Sequence, residues 1–334
     1  MTAEELREKC FQAKEFSTEI LEWIQKENLW NIWVPKAFGG LEFSLTKGLE
    51  KLKELAKIDG SLGWTITLCS GANFFIGNLQ KEVANEIFSQ KNVCFGGSGG
   101  AFGTAEKIGN KYRINGTWRY ATGSKYLSHF TLNANILQNG KPVINQDGTP
   151  YIRSFVLPKN KVEIIEDWNA MGLRATVTHS FHVDQVECHE KYSFLYTKTY
   201  LPQALYQINF GTFADLTLWV NYLGMATHFV ENLTFHFPQL NTKSLQQVVN
   251  TTNQQLFEAA YQVENQLNNN LPITQSSIDN IHQKAVKSVR EITREIIQIY
   301  PYTGIRGSSI DHAVNQLFRD YFTGTQHPIF TKKQ

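Results

Sequence analysis

The order of secondary-structure patterns limits the fold of this chain more than any single motif does. Residues 1–90 carry apolar residues at helical spacing, residues 91–200 read as short strands separated by turns, and residues 201–334 return to long helical patterns. A β segment between two helical segments predicts the α+β class, with a small β-barrel or sandwich packed between helical layers.

The β segment opens with Val93–Ala134, in which five of the eight residues Gly96–Gly103 are glycine. Paired Gly-Asn and Asn-Gly residues between alternating runs are strong hairpin signals. We therefore predict a glycine-rich turn at the start, a hairpin that turns at Gly109–Asn110, and a second turn at Asn115–Gly116 before the next strand.

The glycine cluster does not match a nucleotide-binding loop. Gly97 and Gly99 are followed by Phe102, where a dinucleotide fingerprint requires a third glycine, and the residues after it read as strand rather than helix. Two interpretations remain open. The cluster is either a flexible hairpin loop, or a backbone surface that approaches a flat ligand because glycine has no Cβ.

Two further stretches carry hydroxyl groups that could reach a ligand. Thr122 stands between Ala and Gly at the predicted end of the strand in Trp118–Ser124, where its hydroxyl can face a cleft, although such strands usually serve packing. Trp168–Ser180 contains one arginine together with Thr176 and Thr178, which suits phosphate or polar cofactor contacts. A solvated loop is the commoner interpretation of that pattern.

The last motif lies near the C-terminus, where Arg319 and Asp320 precede His327. Adjacent residues do not share a helix face, so Arg319 and Asp320 need separate partners. Histidine is the usual acid–base residue near neutral pH, but a single histidine near a chain end is more often a surface or core residue.

Composition excludes several classes of function. The net charge of +2 gives no reason to expect nucleic acid or an anionic membrane, and no apolar run is long enough for a membrane helix. The N-terminus is charged and helical in pattern, unlike a signal peptide. The four cysteines are scattered without a Cys-x-x-Cys pair, so we expect a reduced cytoplasmic protein with no metal site.

Taken in order, these motifs resemble the acyl-CoA dehydrogenase superfamily. Val34–Gly40 is similar to that family's Pro-x-x-x-Gly-Gly loop, and Leu55–Ser61 is similar to the segment that follows it. The resemblance covers about residues 15–330. No single motif in it is specific, but the ordered set is.

The resemblance implies three domains and a flavin. The N-terminal helical domain would span 1–90, the β domain 91–200, and a C-terminal four-helix bundle 201–334. Flavin would lie between the β domain and the bundle, as FAD more readily than FMN. The expected assembly is a homodimer or a homotetramer.

Several residues match family positions that contact flavin. Thr122 would contact the ring near N5, and Tyr120 stands where the family often has Trp. The other residues that the resemblance assigns to cofactor binding are Phe95, Gly97, Ser98, Thr176, Thr178 and Arg319.

The chain also departs from acyl-CoA dehydrogenases. Those enzymes abstract an α-proton with a Glu that follows the Arg-Asp pair, but Tyr321–His327 contains no carboxylate. A minority place the base on the first bundle helix, where this chain has Ala214. The arginine motif that holds the FAD pyrophosphate is not evident either, and Asn232–His236 is the nearest stretch.

The spacing of Arg319-Asp320, six residues and then His327 is similar to a branch of this fold, the two-component flavin monooxygenases. The resemblance implies a monooxygenase that takes reduced flavin from a separate reductase and acts on a small aromatic or apolar substrate. Thr122 would slow the loss of hydrogen peroxide. His327, near flavin C4a, would protonate the peroxide or deprotonate a phenol.

Two alternatives stay open at this point. The chain could be an acyl-CoA dehydrogenase with an unrecognised base. It could also be a scaffold or binding protein that keeps the fold without flavin, because a fold does not by itself imply a function.

Overall fold

The computed structural model describes residues 1–331, and it confirms the predicted succession of helices, strands and helices. The N-terminal helices are α1 (Ala3–Cys10), α2 (Thr18–Lys26), α3 (Leu45–Ile58), α4 (Gly60–Asn73) and α5 (Lys81–Phe88). Their starts follow the capping residues of the sequence, because the side chains of Ser17 and Ser44 accept the first free backbone N–H groups of α2 and α3.

Asp59 is the single residue that joins α3 to α4. Its extended backbone ends α3, and its Oδ1 accepts a hydrogen bond of 2.9 Å from the backbone N–H of Leu62. Asp59 therefore caps α4, which begins at Gly60. The two helices form a sharp corner whose single connecting residue is buried.

The middle of the chain forms one mixed sheet. Its strands are β1 (Phe95–Ile108), β2 (Lys111–Ala121), β3 (His129–Gln138), β4 (Lys141–Pro142), β5 (Ile152–Pro158), β6 (Glu163–Ile165), β7 (His179–His189) and β8 (Ser193–Phe194). They lie in the order β6-β7-β2-β1-β3-β5-β8, with β4 paired to β3. The predicted hairpin is confirmed, since Ile108 pairs with Lys111 across the Gly109–Asn110 turn.

The prediction of a glycine-rich turn is wrong. Gly96–Gly103 belongs to β1, and Gly97 pairs with Thr131 of the parallel strand β3. A register shift between Ser98 and Gly103 interrupts the pairing where the glycines are densest. The run forms a strand because β3, a distant part of the chain, supplies its hydrogen-bond partners.

The predicted turn at Asn115–Gly116 is wrong as well. Both residues lie inside β2, opposite β7, where the register shifts between Ile114 and Gly116. Gly116 adopts a φ of +154°, which an Asn-Gly pair supplies to a bulge as readily as to a turn.

The C-terminal half is helical again. Its helices are α6 (Phe210–His236), α7 (Lys243–Asn268), α8 (Gln275–Ile299), α9 (Gly304–Ser308) and α10 (Ala313–Gly324). α6 is the central helix and contacts α3, α4, α7, α8 and α10. Along the described chain, no helix combines the length and the apolar character that crossing a membrane requires.

α3 and α6 pack closely across the boundary between the N-terminal and C-terminal helices. A Cβ at Gly224 of α6 would lie 2.6 Å from the Cβ of Ala56 and 2.7 Å from the carbonyl oxygen of Lys53. The core is therefore continuous between these helices, and the division into domains at residues 90 and 200 stays a prediction.

We expect Gly224→Ala to destabilise the protein, although alanine is the better helix former. Overpacking against a fixed backbone costs about 1–3 kcal/mol. Gly71→Ala in α4 is the matched control, because its Cβ would meet Phe213 at an ordinary 3.9 Å. The control should keep or slightly raise the midpoint of urea unfolding, and equal midpoints for both variants would contradict the close packing.

Candidate active site

A cavity of about 250 Å³ lies between the sheet, α4, α6 and the segment after α10. Its walls are mostly apolar and aromatic, and no Asp, Glu, Lys or Arg of the described chain lines it. The lining residues on which the chemistry depends are Gly96, Gly97, Ser98, Gly99, Tyr120, Thr122, Thr131, Phe213, Ala214 and His327.

The glycines of β1 form a wall of bare backbone. A Cβ on Gly97 would lie 1.7 Å from the carbonyl oxygen of Thr131, so the pairing of β1 with β3 requires glycine there. A Cβ on Gly99 would meet no atom within 4 Å and would project into open space. This wall can therefore approach a flat ligand closely, the second of the two interpretations left open by the sequence.

Thr122 lies just past the end of β2, where its side chain lines the cavity, and two further threonines stand behind it. Its Oγ1 is 3.1 Å from the Oγ1 of Thr178, which is 2.7 Å from the Oγ1 of Thr176. Thr176 in turn lies 2.7 Å from the carbonyl oxygen of Leu173. All three hydroxyl-bearing side chains are buried, and only that of Thr122 reaches the cavity.

Tyr120 stands at the edge of the cavity in an uncommon backbone conformation. Its φ is +64°, which few residues other than glycine adopt, and its side chain is 67% exposed. A large aromatic ring held outward in this way is a candidate contact for a ligand.

His327 reaches the cavity from the segment that follows α10. Its ring packs edge-on against Trp64 of α4, with centroids 5.9 Å apart. Its Nδ1 accepts a hydrogen bond of 3.3 Å from the backbone N–H of Ile329, so the ring proton lies on Nε2. Burial lowers the pKa of His327 to about 4, and the imidazole is neutral at physiological pH.

Not every predicted site residue lies at the cavity. Phe95 is fully buried in the core, where it packs against Phe88 and His129. Arg319 donates to the side chain of Asn315 at 2.8 Å and to the carbonyl oxygen of Met171 at 2.7 Å. Neither residue lines the cavity, so the cofactor contacts assigned to them remain predictions.

Sequence patterns did not indicate the buried carboxyl pair of Asp59 and Asp320. Oδ1 of Asp320 accepts from the backbone N–H of Leu173 at 2.6 Å, and Gln316 donates to Oδ2 of Asp59 at 3.2 Å. Burial raises the pKa of both carboxyl groups, and the charge of Asp320 raises that of Asp59 further. The pair thus favours holding a proton in the folded protein.

Helix α6 forms one wall of the cavity. Phe213, Ala214, Thr217 and Leu218 all line it, and their spacing places them on one face of that helix. Because the sequence of α6 is nearly apolar throughout, it does not distinguish the face that borders the cavity from the faces that pack in the core. Ala214, which the sequence analysis noted as the position of a possible base, is part of this wall.

Comparison with known proteins identifies the fold. No family model matches the chain. The HsaA monooxygenase from M. tuberculosis has a TM-score of 0.89 at 17% identity and covers 98% of this chain and 92% of its own. XiaF from Streptomyces sp., solved with FADH2 and glycerol, has a TM-score of 0.88 at 17% identity, with 98% and 89% covered. The chain therefore has the acyl-CoA dehydrogenase-like fold of flavin-dependent monooxygenases, as the sequence predicts.

The relatives found by sequence are also named monooxygenases. Indole-3-acetate monooxygenase of Pseudomonas putida is 28% identical over 225 residues, which are 66% of this chain and 55% of that protein. The enzyme of the same name from Acinetobacter baumannii is 30% identical over 183 residues, 54% of this chain and 44% of that protein. The chain spans about half the length of the curated relatives it matches.

The Asp59–Asp320 pair yields a test of the packing behind the cavity. A carboxyl whose pKa is raised by folding contributes stability at low pH, and that contribution is lost as pH rises through the folded-state value. Asparagine caps helices equally well. We therefore expect Asp59→Asn to gain about 1–3 kcal/mol relative to wild type between about pH 4 and about pH 7, the range from the ordinary carboxyl pKa to the raised pKa of Asp59.

Urea unfolding at several pH values measures this difference. The control is Asp184→Asn, which changes an exposed carboxylate at the sheet surface. A stability difference between wild type and Asp59→Asn that stays constant with pH would contradict the raised pKa of the pair.

Proposed function

We propose that this chain is the oxygenase component of a reduced-flavin-dependent monooxygenase acting on a small aromatic or apolar substrate. One observation carries the proposal: an apolar cavity bounded by the bare backbone of Gly97 and Gly99 has Thr122 and His327 among the polar groups on its walls. The sequence relatives support it, because those named above are monooxygenases of aromatic substrates.

The residues of the cavity fit a flavin ring. The glycine wall leaves space where a side chain would obstruct a flat ring, and Tyr120 adds an exposed aromatic surface at the edge. We expect these residues and Thr122 to hold the ring. When bound, reduced flavin would supply the two electrons with which one oxygen atom of O₂ enters the substrate and the other leaves as water.

The chain's own residues would then exclude water and hold protons. Phe213 and Leu218 of α6 and Ala72 of α4 make the opposite side of the cavity apolar. Neutral His327 would donate its Nε2 hydrogen to an oxygen atom in the cavity. Its lowered pKa makes it a weak base, so this donor role suits it better than deprotonation of a phenol.

The cavity favours uncharged substrates. No cationic side chain of the described residues lines it, so a carboxylate placed there would lose its hydration without gaining a partner. TdsC from Paenibacillus sp. A11-2, with a TM-score of 0.78, was solved with FMN and indole, an uncharged aromatic molecule. We take indole as the first probe substrate.

The geometry does not favour acyl-CoA dehydrogenation. That reaction needs a carboxylate base, and Ala214 stands at the cavity where the first bundle helix could carry one. The adjacent Asp215 is buried and lies 3.0 Å from Nδ1 of His282. That pairing occupies the carboxylate, and Asp215 does not line the cavity.

The cofactor and the partner follow from the same proposal. We favour FAD over FMN, although XiaF was solved with FADH2 and TdsC with FMN. Other relatives are named oxygenase subunits or components, which implies that a separate flavin reductase supplies the reduced cofactor. We place the protein in the cytoplasm, where a reductase would have reduced nicotinamide available.

Assembly into a homodimer or homotetramer is part of the proposal. Phe235 near the end of α6 is 79% exposed, and Ile305 in α9 is 88% exposed. These two helix ends are adjacent, because Arg306 donates to the carbonyl oxygen of His236 at 3.4 Å. Large apolar side chains exposed together are typical of an interface.

The function is tested with reduced FAD supplied by a flavin reductase and NADH, with indole as substrate. Wild type should form hydroxylated product, and His327→Ala should lower the product formed per NADH by about tenfold or more, with a matching rise in hydrogen peroxide. His182→Ala is the control, because His182 bonds Thr117 on the sheet surface, away from the cavity. Unchanged yields in His327→Ala would contradict its role.

The alternatives give different results in the same preparation. An acyl-CoA that bleaches the absorbance of the oxidised, flavin-loaded protein would support a dehydrogenase. A protein that stays colourless after incubation with FAD, FMN and reduced flavin would support a flavin-free scaffold and overturn the proposal.

We expect sedimentation analysis to give at least a dimer. Ile305→Glu should shift the protein toward monomer, because an interface would bury the new charge without a partner. Ile108→Glu, at a residue that is 41% exposed on the sheet, is the control. A monomeric wild type would contradict the assembly.

A further inference from the structure

We infer that Thr176 and Thr178 are positioning residues that fix Thr122 as a hydrogen-bond acceptor toward the cavity. They would thereby set how strongly the site prefers reduced over oxidised flavin. The inference rests on the proposed function, because it concerns the ligand proposed for this cavity. It assigns Thr176 and Thr178 as positioning residues, which act through Thr122 and do not line the cavity.

The direction of the hydrogen bonds is set at the inner end of the chain of threonines. The Oγ1 of Thr176 and the carbonyl oxygen of Leu173 are 2.7 Å apart. Two oxygen atoms at this distance need a hydrogen between them, and a carbonyl has none to give. Thr176 must therefore donate to Leu173, which uses its only hydroxyl proton.

The same reasoning fixes the next two bonds. Thr178 lies 2.7 Å from Thr176, whose proton is already used, so Thr178 donates to Thr176. Thr122 lies 3.1 Å from Thr178, whose proton is then used as well, so Thr122 donates to Thr178. Each hydroxyl proton is now committed inward, and Thr122 presents only lone pairs to the cavity.

The anchor of this chain is held firmly. The carbonyl oxygen of Leu173 also accepts a hydrogen bond from Nε1 of Trp168 at 3.1 Å. The backbone N–H of Leu173 donates to Oδ1 of Asp320 at 2.6 Å. Thr176 is fully buried, and Thr178 is nearly so, which keeps competing water away. The order of donors is therefore a fixed property of the fold.

The family resemblance implies that Thr122 lies near flavin N5. An acceptor at that atom discriminates between the two redox states of flavin. The oxidised ring carries one lone pair at N5, whereas two-electron reduction places an N–H there. An acceptor forms a hydrogen bond with the N–H of the reduced ring. With the oxidised ring, the acceptor and the N5 lone pair face each other with no hydrogen between them, and this contact costs free energy. The cavity would thus retain the cofactor a reductase delivers and release it after oxidation.

The test compares dissociation constants for reduced and oxidised FAD, the former measured anaerobically. Wild type should bind reduced FAD about tenfold or more tightly. Thr178→Val frees the proton of Thr122, so its preference should fall by about tenfold, with the midpoint potential of bound FAD about 30 mV more negative. Thr178→Ser should restore the preference.

Ser124→Ala is the matched control, because Ser124 donates to the carbonyl oxygen of Val177 at 2.6 Å in the same turn but lies outside the chain of threonines. It should leave the ratio of the two constants unchanged. If Thr178→Val does not fold, Thr122→Val replaces it, since removal of the acceptor should also lower the preference.

The outcomes separate this inference from the proposed function. Wild type that binds FAD in neither state overturns both. If wild type binds FAD but has the same ratio of dissociation constants as Thr178→Val, the inference is overturned and the proposed function stands. Where Thr122→Val replaces Thr178→Val, the same comparison is made with Thr122→Val.

Discussion

The hydrogen bond from the backbone N–H of Leu173 to buried Asp320 joins the two parts of the molecule that form the cavity. Asp320 belongs to α10, and Leu173 belongs to the turn before β7. The same turn accepts a hydrogen bond from the backbone N–H of Gly123 through the carbonyl oxygen of Thr176 at 2.8 Å. The positions of the sheet edge, of Thr122 and of the segment that carries His327 thus depend on one short turn held by a buried carboxyl group.

Local chemistry made the helices and the first hairpin predictable. Ser44 caps α3 and the Gly109–Asn110 pair turns the hairpin, because both signals act within a few residues. The glycines of β1 were misread because their partners belong to β3, more than thirty residues away. The bulge at Gly116 was misread because glycine is favoured wherever the backbone needs a positive φ, in a bulge as well as in a turn.

The candidate site was predictable only in part. Thr122 and His327 both reach one cavity although they are separated by about 200 residues, and only the family resemblance connected them in the sequence. Arg319 does not line the cavity, and its guanidinium holds the carbonyl oxygen of Met171 in the turn. Ala214 was visible as a position without a base, but its place at the cavity wall required the packing of α6 against α4.

The hydrogen-bonded series of Thr122, Thr178 and Thr176 ends on the carbonyl oxygen of Leu173, and this limits which substitutions the three positions accept. Its direction cannot reverse, because reversal would leave two lone pairs facing each other at 2.7 Å. Polarity at the cavity therefore originates in a peptide carbonyl, which no side-chain substitution removes. Exchange of threonine for serine at positions 122, 176 and 178 keeps the order of donors, whereas loss of any one hydroxyl breaks it, so the three positions should evolve as a single unit.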